Sequence, residues 1–364
     1  MRKEAREENE NKKEEDSQSV QISQEVKDAL WWMLNPLPIN ICTRGSAESF
    51  VVLLSVLGTV AVATSKTFKK PIWVKAMIAG VIHGLAIHAK LYPIIYTASF
   101  MTYFAYQEKR SRVVYGWQSQ IFPARLSGAN DSIRYPFPWT EPKRLFQLIK
   151  LWIGRLLCKS SLMFLFTSMG TFGLLTYLAI HFYGQIALEE GLLYHFSRLD
   201  HRHNYSFFWY LIYLAKSRMA TVGADSLLLS LKIMGRILLV PQLVLLVFSS
   251  LGIAPYDLTF ALFIQTFLFV ALNKVITAQY FLWYFALLPL CADRIEWRSK
   301  EMFAAIRLLV TSILTWLGSA FLLEMKGMSV HFQVWLASIL YFAANVNFLK
   351  DIMANYKRPK EKVN

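Results

Sequence analysis

The chain has 364 residues, of which 55% belong to the hydrophobic set, 15% are aromatic and only 17% are charged. A soluble protein of this size carries roughly a quarter of its residues as charges. Here the apolar residues form long blocks separated by short charged stretches, which excludes an ordinary soluble enzyme and indicates a polytopic helical membrane protein. The net charge of +15 is unevenly spread: residues 1–30 hold six Lys/Arg against nine Asp/Glu, so the cation surplus lies between apolar blocks. Cations placed there orient membrane spans, and no nucleic-acid partner is expected.

Residues 1–30 contain no apolar run and are expected to be a charged, disordered or loosely helical tail, with no signal peptide. From Trp31 the character changes, and residues 31–350 are expected to form the transmembrane domain. Nine spans follow from the apolar runs: Phe50–Ser65, Trp73–Ala89, Tyr92–Tyr106, Leu162–Phe182, Ile237–Leu251, Leu258–Leu272, Ala278–Ala292, Ala304–Leu323 and Val330–Leu349. Phe207–Leu214 reads as a half-span or interfacial helix. Residues 351–364 form a basic tail. The all-α architecture expected is a transmembrane helical bundle.

Lys/Arg counting sets the orientation. The linkers 66–75, 107–159, 292–307 and the tail 350–362 hold most of the cations, and the richer side of a membrane protein faces the cytosol. The C-terminus is therefore expected in the cytosol. Lys360 and Lys362 resemble the dilysine address that returns membrane proteins to the endoplasmic reticulum, which makes that membrane the expected location. Cys42, Cys158 and Cys291 are an odd number without metal-ligand spacing, so neither a disulfide framework nor a zinc site is indicated.

Unusual polar residues gather on the luminal side of this scheme. The densest segment runs from His195 through Arg198, Asp200, His201, Arg202, His203, Asn204 and Tyr205 to Ser206, directly before the aromatic run Phe207–Tyr210. Arg forks bind phosphate oxygens in pairs, and aromatic rings hold a loop at the headgroup level. Such a segment suits a lipid phosphate; an ordinary interfacial loop with snorkelling side chains is the plain alternative. A zinc site from His195, His201 and His203 matches no ligand spacing. Lys90 at the end of one span, before Pro93, and Asn273, Lys274, Gln279 and Tyr280 between two others repeat the polar theme on the same side. Asn204-Tyr205-Ser206 is formally a glycosylation acceptor, but one too close to the membrane to expect modification.

Four blocks in order carry a resemblance: Asn35-Pro36-Leu37-Pro38 with Thr43-Arg44-Gly45-Ser46-Ala47-Glu48, then HAKLYP, then RLDHRHNYS, then NKVITAQYFLWYFALLPL. Together they resemble the GPI mannosyltransferase 1 family, from about Trp31 to Lys357. The resemblance implies a GT-C-like glycosyltransferase that adds the first α1,4-linked mannose to glucosaminyl-(acyl)phosphatidylinositol in GPI-anchor biosynthesis. The implied donor is dolichyl-phosphate mannose, no cofactor is indicated, and a small single-pass stabilising subunit is the implied partner. Arg44, Glu48, Lys90, His195, Arg198, Arg202, His203, Asn204, Asn273, Lys274, Gln279 and Tyr280 become the candidate substrate-binding residues.

One departure concerns the base. The family carries an Asp-x-Asp motif ahead of the Asn-Pro-Leu-Pro block, whereas no Asp-x-Asp occurs in this sequence, and Glu14 and Asp16 lie in the charged tail. An inverting displacement by the acceptor hydroxyl calls for a carboxylate base. Asp200 and Glu48 are the carboxylates within matching blocks; both suit orientation of the neighbouring Arg, and Asp200 is the fallback base. Two further readings stay open: a catalytically inactive, shortened isoform or incomplete gene model of the same family, and a transporter, for which no inverted repeat is visible.

Overall fold

The computed structural model describes residues 24–46, 48, 51–110, 156–197, 200, 204–222, 233, 236–237 and 239–357. They fall into two units that part between Ser46 and Ala47. The first holds α1 (Gln24–Met33) and α2 (Pro36–Thr43). The Asn-Pro-Leu-Pro block is a helix start: Asn35 caps α2 by accepting from the Leu37 amide at 3.0 Å, and Pro36 fills the first helical position. Gly45 follows α2 at φ 74°, and Arg44 is exposed at its end.

The second unit holds α3 (Val51–Thr64), α4 (Ile72–Ala89), α5 (Thr97–Arg110), α6 (Lys159–Tyr183) and α7 (Trp209–Val222). After these come α8 (Val240–Gly252), α9 (Leu258–Ala271), α10 (Phe281–Leu287), α11 (Lys300–Glu324) and α12 (His331–Ala354). Among the described residues, β structure is limited to an isolated antiparallel bridge between Ile295 and Tyr356. The all-α expectation holds.

The count of spans is a different matter. Among the described residues, α4, α6, α11 and α12 are the helices long and apolar enough to cross a membrane, with 18, 25, 25 and 24 residues. At 1.5 Å per residue the 13- and 14-residue helices α3, α8 and α9 reach about 20 Å, short of a hydrocarbon core of about 30 Å. Two further apolar blocks break: a 3-10 turn, Tyr92–Tyr96, precedes α5, and another, Ala278–Tyr280, precedes α10. The segment expected at Phe207–Leu214 is corrected as well, since α7 starts at Trp209 and runs on to Val222. Its sequence stays apolar for less of that length, because Lys216 and Arg218 lie on the helix.

Close packing of α4 on α6 uses small residues. A Cβ built on Gly80 would lie 2.7 Å from the Phe164 carbonyl oxygen, and one on Gly84 would lie 2.5 Å from that of Ser168. With Ala76 one turn earlier, this is a small-xxx-small stripe, which in lipid lets backbones approach where the hydrophobic effect offers no drive. His83 on the same helix is buried between the rings of Phe100 and Phe164, each 5.3 Å away, and bonds Thr97 at 3.1 Å. Farther along, Tyr96 bonds Thr266 at 2.7 Å and Ser99 donates to Gln265 at 2.7 Å, joining the 3-10 turn and α5 to α9. The faces of α6 and α11 away from the core show Phe166, Leu174, Tyr177, Phe303, Leu314 and Phe321. Surfaces of that kind face lipid.

The loops of this unit sort into two ends. At one, Lys159 lies over Trp73, Glu108 accepts from the Ser160 amide, and Tyr106 meets Tyr256. There Asp257 caps α9, pairs with Arg294 and accepts from the Tyr356 hydroxyl at 2.7 Å, which fastens the end of α12 to the loop after α10. At the other end lie Glu48, Lys90, Phe196, Asn204, Lys274 and Trp283. The described parts of the cation-rich linkers all fall at the first end. That is the grouping that Lys/Arg counting requires.

Candidate active site

Two loops meet through one side chain. Asn204 is 3% exposed and uses its full hydrogen-bonding capacity. Its amide donates to the carbonyls of Asp200 at 3.0 Å and Lys274 at 2.9 Å, and its oxygen accepts from the amides of Ser206 at 2.9 Å and Ile276 at 2.8 Å. The Tyr205 amide adds a bond to the Ile276 carbonyl at 2.9 Å. Lys274 closes the junction from the other side by donating to the Phe196 carbonyl at 2.9 Å. Residues some 70 positions apart are thereby held as one polar floor. Burial pushes the Lys274 ammonium down to about 8. The Tyr205 ring stacks on Trp316 at 3.8 Å, and Trp335 donates to the Phe207 carbonyl at 3.1 Å, so α11 and α12 support the floor.

A second cluster stands at the same end. Helix α4 stops at Ala89, and Lys90 follows in extended conformation because Pro93 opens the next turn. Lys90 pairs with Glu48, which is buried, and its ammonium lies 5.8 Å from the Trp283 ring centre. Trp283 stacks on Tyr92 at 3.8 Å and on Tyr280 at 4.3 Å. The Trp283 indole N–H, the Tyr92 hydroxyl and the Thr277 hydroxyl are buried without a hydrogen-bond partner among the described residues. One cation beside three groups able to donate hydrogen bonds suits a phosphate or a sugar hydroxyl.

Of the other sequence candidates, Asp200 is half-buried, and its main chain accepts from Asn204. His195 is exposed in the short helix Tyr194–Ser197, its ring 6.0 Å from Tyr194. The Asn273 oxygen accepts from the Val275 amide at 3.4 Å, shaping the turn, and Gln279 is half-buried in the 3-10 turn with Tyr280. Arg44 belongs to the first unit. Arg198, Arg202, His203, Lys360 and Lys362 lie outside the described residues, as does His201. Among the described residues no group of three or more His, Cys, Asp or Glu could hold a metal ion. Sequence reasoning passed over Trp283, Tyr92, Thr277 and Trp316 as site residues, although the first three lie inside the quoted blocks.

The buried Glu48 carboxylate pairs with Lys90. The arrangement offers fixed cations and hydrogen-bond donors at one end of an apolar helical unit. Fixed charges and donors of this kind suit chemistry at a lipid phosphate.

Comparison with known proteins agrees. Residues 41–126 and 140–353 match the model of the family described as mannosyltransferase (PIG-M). GPI mannosyltransferase 1 of Dictyostelium discoideum is 33% identical over 331 residues, 89% of this chain and 66% of that protein. The GPI alpha-1,4-mannosyltransferase I catalytic subunit of Danio rerio is 32% identical over 326 residues, covering 90% and 68%. GPI mannosyltransferase 1 of Saccharomyces cerevisiae is 30% identical over 338 residues, covering 91% and 69%. The chain thus spans about two thirds of the length of these curated relatives. With HAKLYP, RLDHRHNYS and the block after Asn273 all inside the matched segments, the chain belongs to the PIG-M mannosyltransferase family.

Proposed function

We propose that this chain is the catalytic part of a GPI mannosyltransferase that moves the first α1,4-linked mannose from dolichyl-phosphate mannose to glucosaminyl-(acyl)phosphatidylinositol. The observation that carries the proposal is the joining of the RLDHRHNYS and NKVITAQY blocks by Asn204 and Lys274, at the end that also holds Lys90 and Glu48. In this reading the bundle is GT-C-like and crosses the endoplasmic reticulum membrane nine times. The short helices count as crossings where neighbours cover their ends. The Asn204 end faces the lumen and the C-terminus the cytosol, and a small single-pass subunit stabilises the complex.

The chemistry is one displacement. The acceptor 4-hydroxyl attacks the anomeric carbon, the bond from that carbon to the phosphate oxygen breaks, and the hydroxyl proton passes to a carboxylate base. Inversion converts the β-linked donor to an α-linked product. Dolichyl phosphate leaves with its electron pair, and Lys90, the Tyr92 hydroxyl and the Trp283 N–H offer positive charge and donors to that oxyanion. Arg198 and Arg202 are assigned the same role from the sequence. Glu48 holds Lys90 in place, and Asp200 is the proposed base.

The test is transfer of labelled mannose to the glycolipid acceptor in microsomes from cells lacking the native enzyme. Asp200→Asn should lower transfer by a factor of roughly 10² to 10⁴ at unchanged protein level. Arg198→Ala and Arg202→Ala should each lower it about tenfold or more, from a lost charge-assisted bond of about 1.5–3 kcal/mol. Normal transfer by Asp200→Asn would move the base elsewhere. Normal transfer by all three would remove the phosphate site from this loop.

A further inference from the structure

The turn between α3 and α4 concentrates positive charge. It carries Lys66, Lys69 and Lys70, with Lys75 on the first turn of α4, and no Asp or Glu occurs between Glu48 and Glu108. Hydrogen bonds give this turn a fixed shape. The Phe68 amide donates to the Ser65 hydroxyl at 3.1 Å, and that hydroxyl meets the Thr67 hydroxyl at 3.0 Å. The amides of Lys69 and Lys70 donate to the carbonyls of Thr67 at 2.9 Å and Phe68 at 2.8 Å. Lys75 folds back and donates to the Ser65 carbonyl at 2.6 Å, which ties the turn to α4. Lys66, Lys69 and Lys70 are left exposed, and no ion pair among the described residues includes any of them.

Neighbouring rings mark the depth of the turn. Phe68 is half-buried within it, and the ammonium of Lys159, from the start of α6, lies 4.4 Å from the Trp73 ring centre. A Trp under a cation suits the headgroup boundary. Cations that only orient a span need number and side, not a bonded arrangement. Three exposed ammonium groups on a fixed turn at headgroup depth go further, because basic clusters beside a span attract anionic lipids.

The turn is also linked mechanically to the candidate active site. Helix α4 runs from Ile72 to Ala89, and Lys90 follows it directly. Its 18 residues rise about 27 Å, close to a hydrocarbon core of about 30 Å, so little length is spare. A contact that fixes one end of α4 at the headgroups therefore fixes the depth of Lys90 at the other.

We propose that the turn 65–71 binds anionic phospholipid headgroups in the leaflet opposite the candidate active site, and that α4 passes this anchorage on to Lys90. The anchorage is independent of the function proposed above, and its effect on transfer rests on that function.

The probes are dioleoyl phosphatidylserine and dioleoyl phosphatidylcholine, mixed equally in nanodiscs holding the full chain, and native mass spectrometry counts the lipids retained. The wild type should retain the serine lipid over the choline lipid by roughly tenfold or more. Raising the salt from about 0.05 M to about 0.5 M should remove most of this preference. Lys66→Gln, Lys69→Gln and Lys70→Gln combined should abolish it, at roughly fivefold per lysine. A control with Arg298, Lys300 and Arg307, exposed cations at the start of α11, all changed to Gln should keep it. Equal retention of the two lipids by the wild type would overturn the proposal and leave the turn to an acidic protein surface. Loss of preference in the control would also overturn it, by making the effect one of total charge. In mannose-transfer assays on purified protein, the wild type should be severalfold slower in pure phosphatidylcholine, with the triple lysine variant equally slow in both lipids. A wild type indifferent to lipid charge would overturn the link through α4. Preferential serine-lipid binding without transfer in any lipid would instead refute the proposed function and leave the anchorage standing.

Discussion

Removing the Asn204 side chain tests the centre of the site. In Asn204→Ala three buried main-chain groups lose their partner: the Lys274 carbonyl and the amides of Ile276 and Ser206. An unsatisfied buried backbone group costs about 1–3 kcal/mol. The space left by truncation admits a water that restores part of the bonding, so the lower end applies and the sum is about 3 kcal/mol. Asn204→Asp is the sharper probe, because it changes one atom. Its first oxygen still accepts from Ser206 and Ile276, but its second faces the Asp200 and Lys274 carbonyls, where the amide N–H groups had been. A carboxylate there is repelled by two carbonyl dipoles and buried at 3% exposure, so it should destabilise at least as much as Ala. The assay is thermal unfolding of detergent-solubilised protein followed with a thiol-reactive dye. Cys291, at 0% exposure, reports opening of the second unit. Both variants should melt several degrees below wild type and lose most mannose transfer. Curves that superimpose on the wild type would show that the two loops are not held through Asn204, and the site as described would fail. The same geometry means that Asn204 is not glycosylated, so glycosidase treatment should produce no mobility shift that Ser206→Ala removes.

Three further outcomes follow from other contacts. Gly80→Ala and Gly84→Ala should each lower the protein's stability by about 1–3 kcal/mol, since a Cβ there meets main chain, whereas Gly170→Ala, with nothing within 4 Å, should be neutral or slightly stabilising. Melting curves of the three decide it, and equal loss in all would contradict the α4–α6 packing. Lys90→Met removes the cation that pairs with the buried Glu48 carboxylate and should destabilise by about 3–5 kcal/mol. Adding Glu48→Gln should recover much of that in expression level but not in transfer, and no recovery would mean that the pair is not coupled. For Lys274 the folded pKa of about 8 lies below the unfolded value near 10.5, so the unfolded state binds the extra proton between them. Stability should therefore rise with pH across that window, while any transfer that depends on the Lys274 charge should fall above pH 8. Lys274→Arg should flatten both profiles, and unchanged profiles would refute the burial argument.

Which parts of this structure the sequence announces depends on how far apart the interacting residues lie. Apolar runs are local, so every segment expected to be a span contains helix in the structure, from Val51–Thr64 to His331–Ala354. Whether a helix crosses is not local in the same way. Tyr92–Tyr106 reads as one apolar aromatic run, yet Pro93 makes its first turn 3-10 and leaves 14 residues of α-helix, Thr97–Arg110. Hydropathy cannot see that break, because it weighs side chains and not amides. The Asn-Pro-Leu-Pro block shows the opposite case: a motif noticed as a family mark turns out to be a helix cap with a mechanism readable from its first two residues.

The site divides along the same line. Charge counting placed Lys90, Asn204 and Lys274 on one side of the membrane, and the structure gathers them at one end of the second unit, because the positive-inside rule constrains every loop at once. It cannot say which loops touch. The Asn204–Lys274 junction joins residues 70 positions apart, and nothing near either residue signals the other. Within the local sequence, Asn-Tyr-Ser reads as a glycan acceptor. Only the tertiary bonds turn its amide into a staple, and they do so by using both hydrogens that a glycan would have replaced or displaced. The Ser338 hydroxyl makes the same point from the supporting side. It is an unremarked residue in an apolar helix, yet it fixes two indoles from helices 129 and 22 positions away. Single small polar residues inside apolar helices are therefore where such a fold hides its long-range specification, since in lipid an unpaired hydroxyl or amide is tolerated only when another helix supplies its partner. Ser99, Thr266 and Gln265 obey the same rule in the core, which is why the helices pack in one arrangement although their apolar faces alone would permit several.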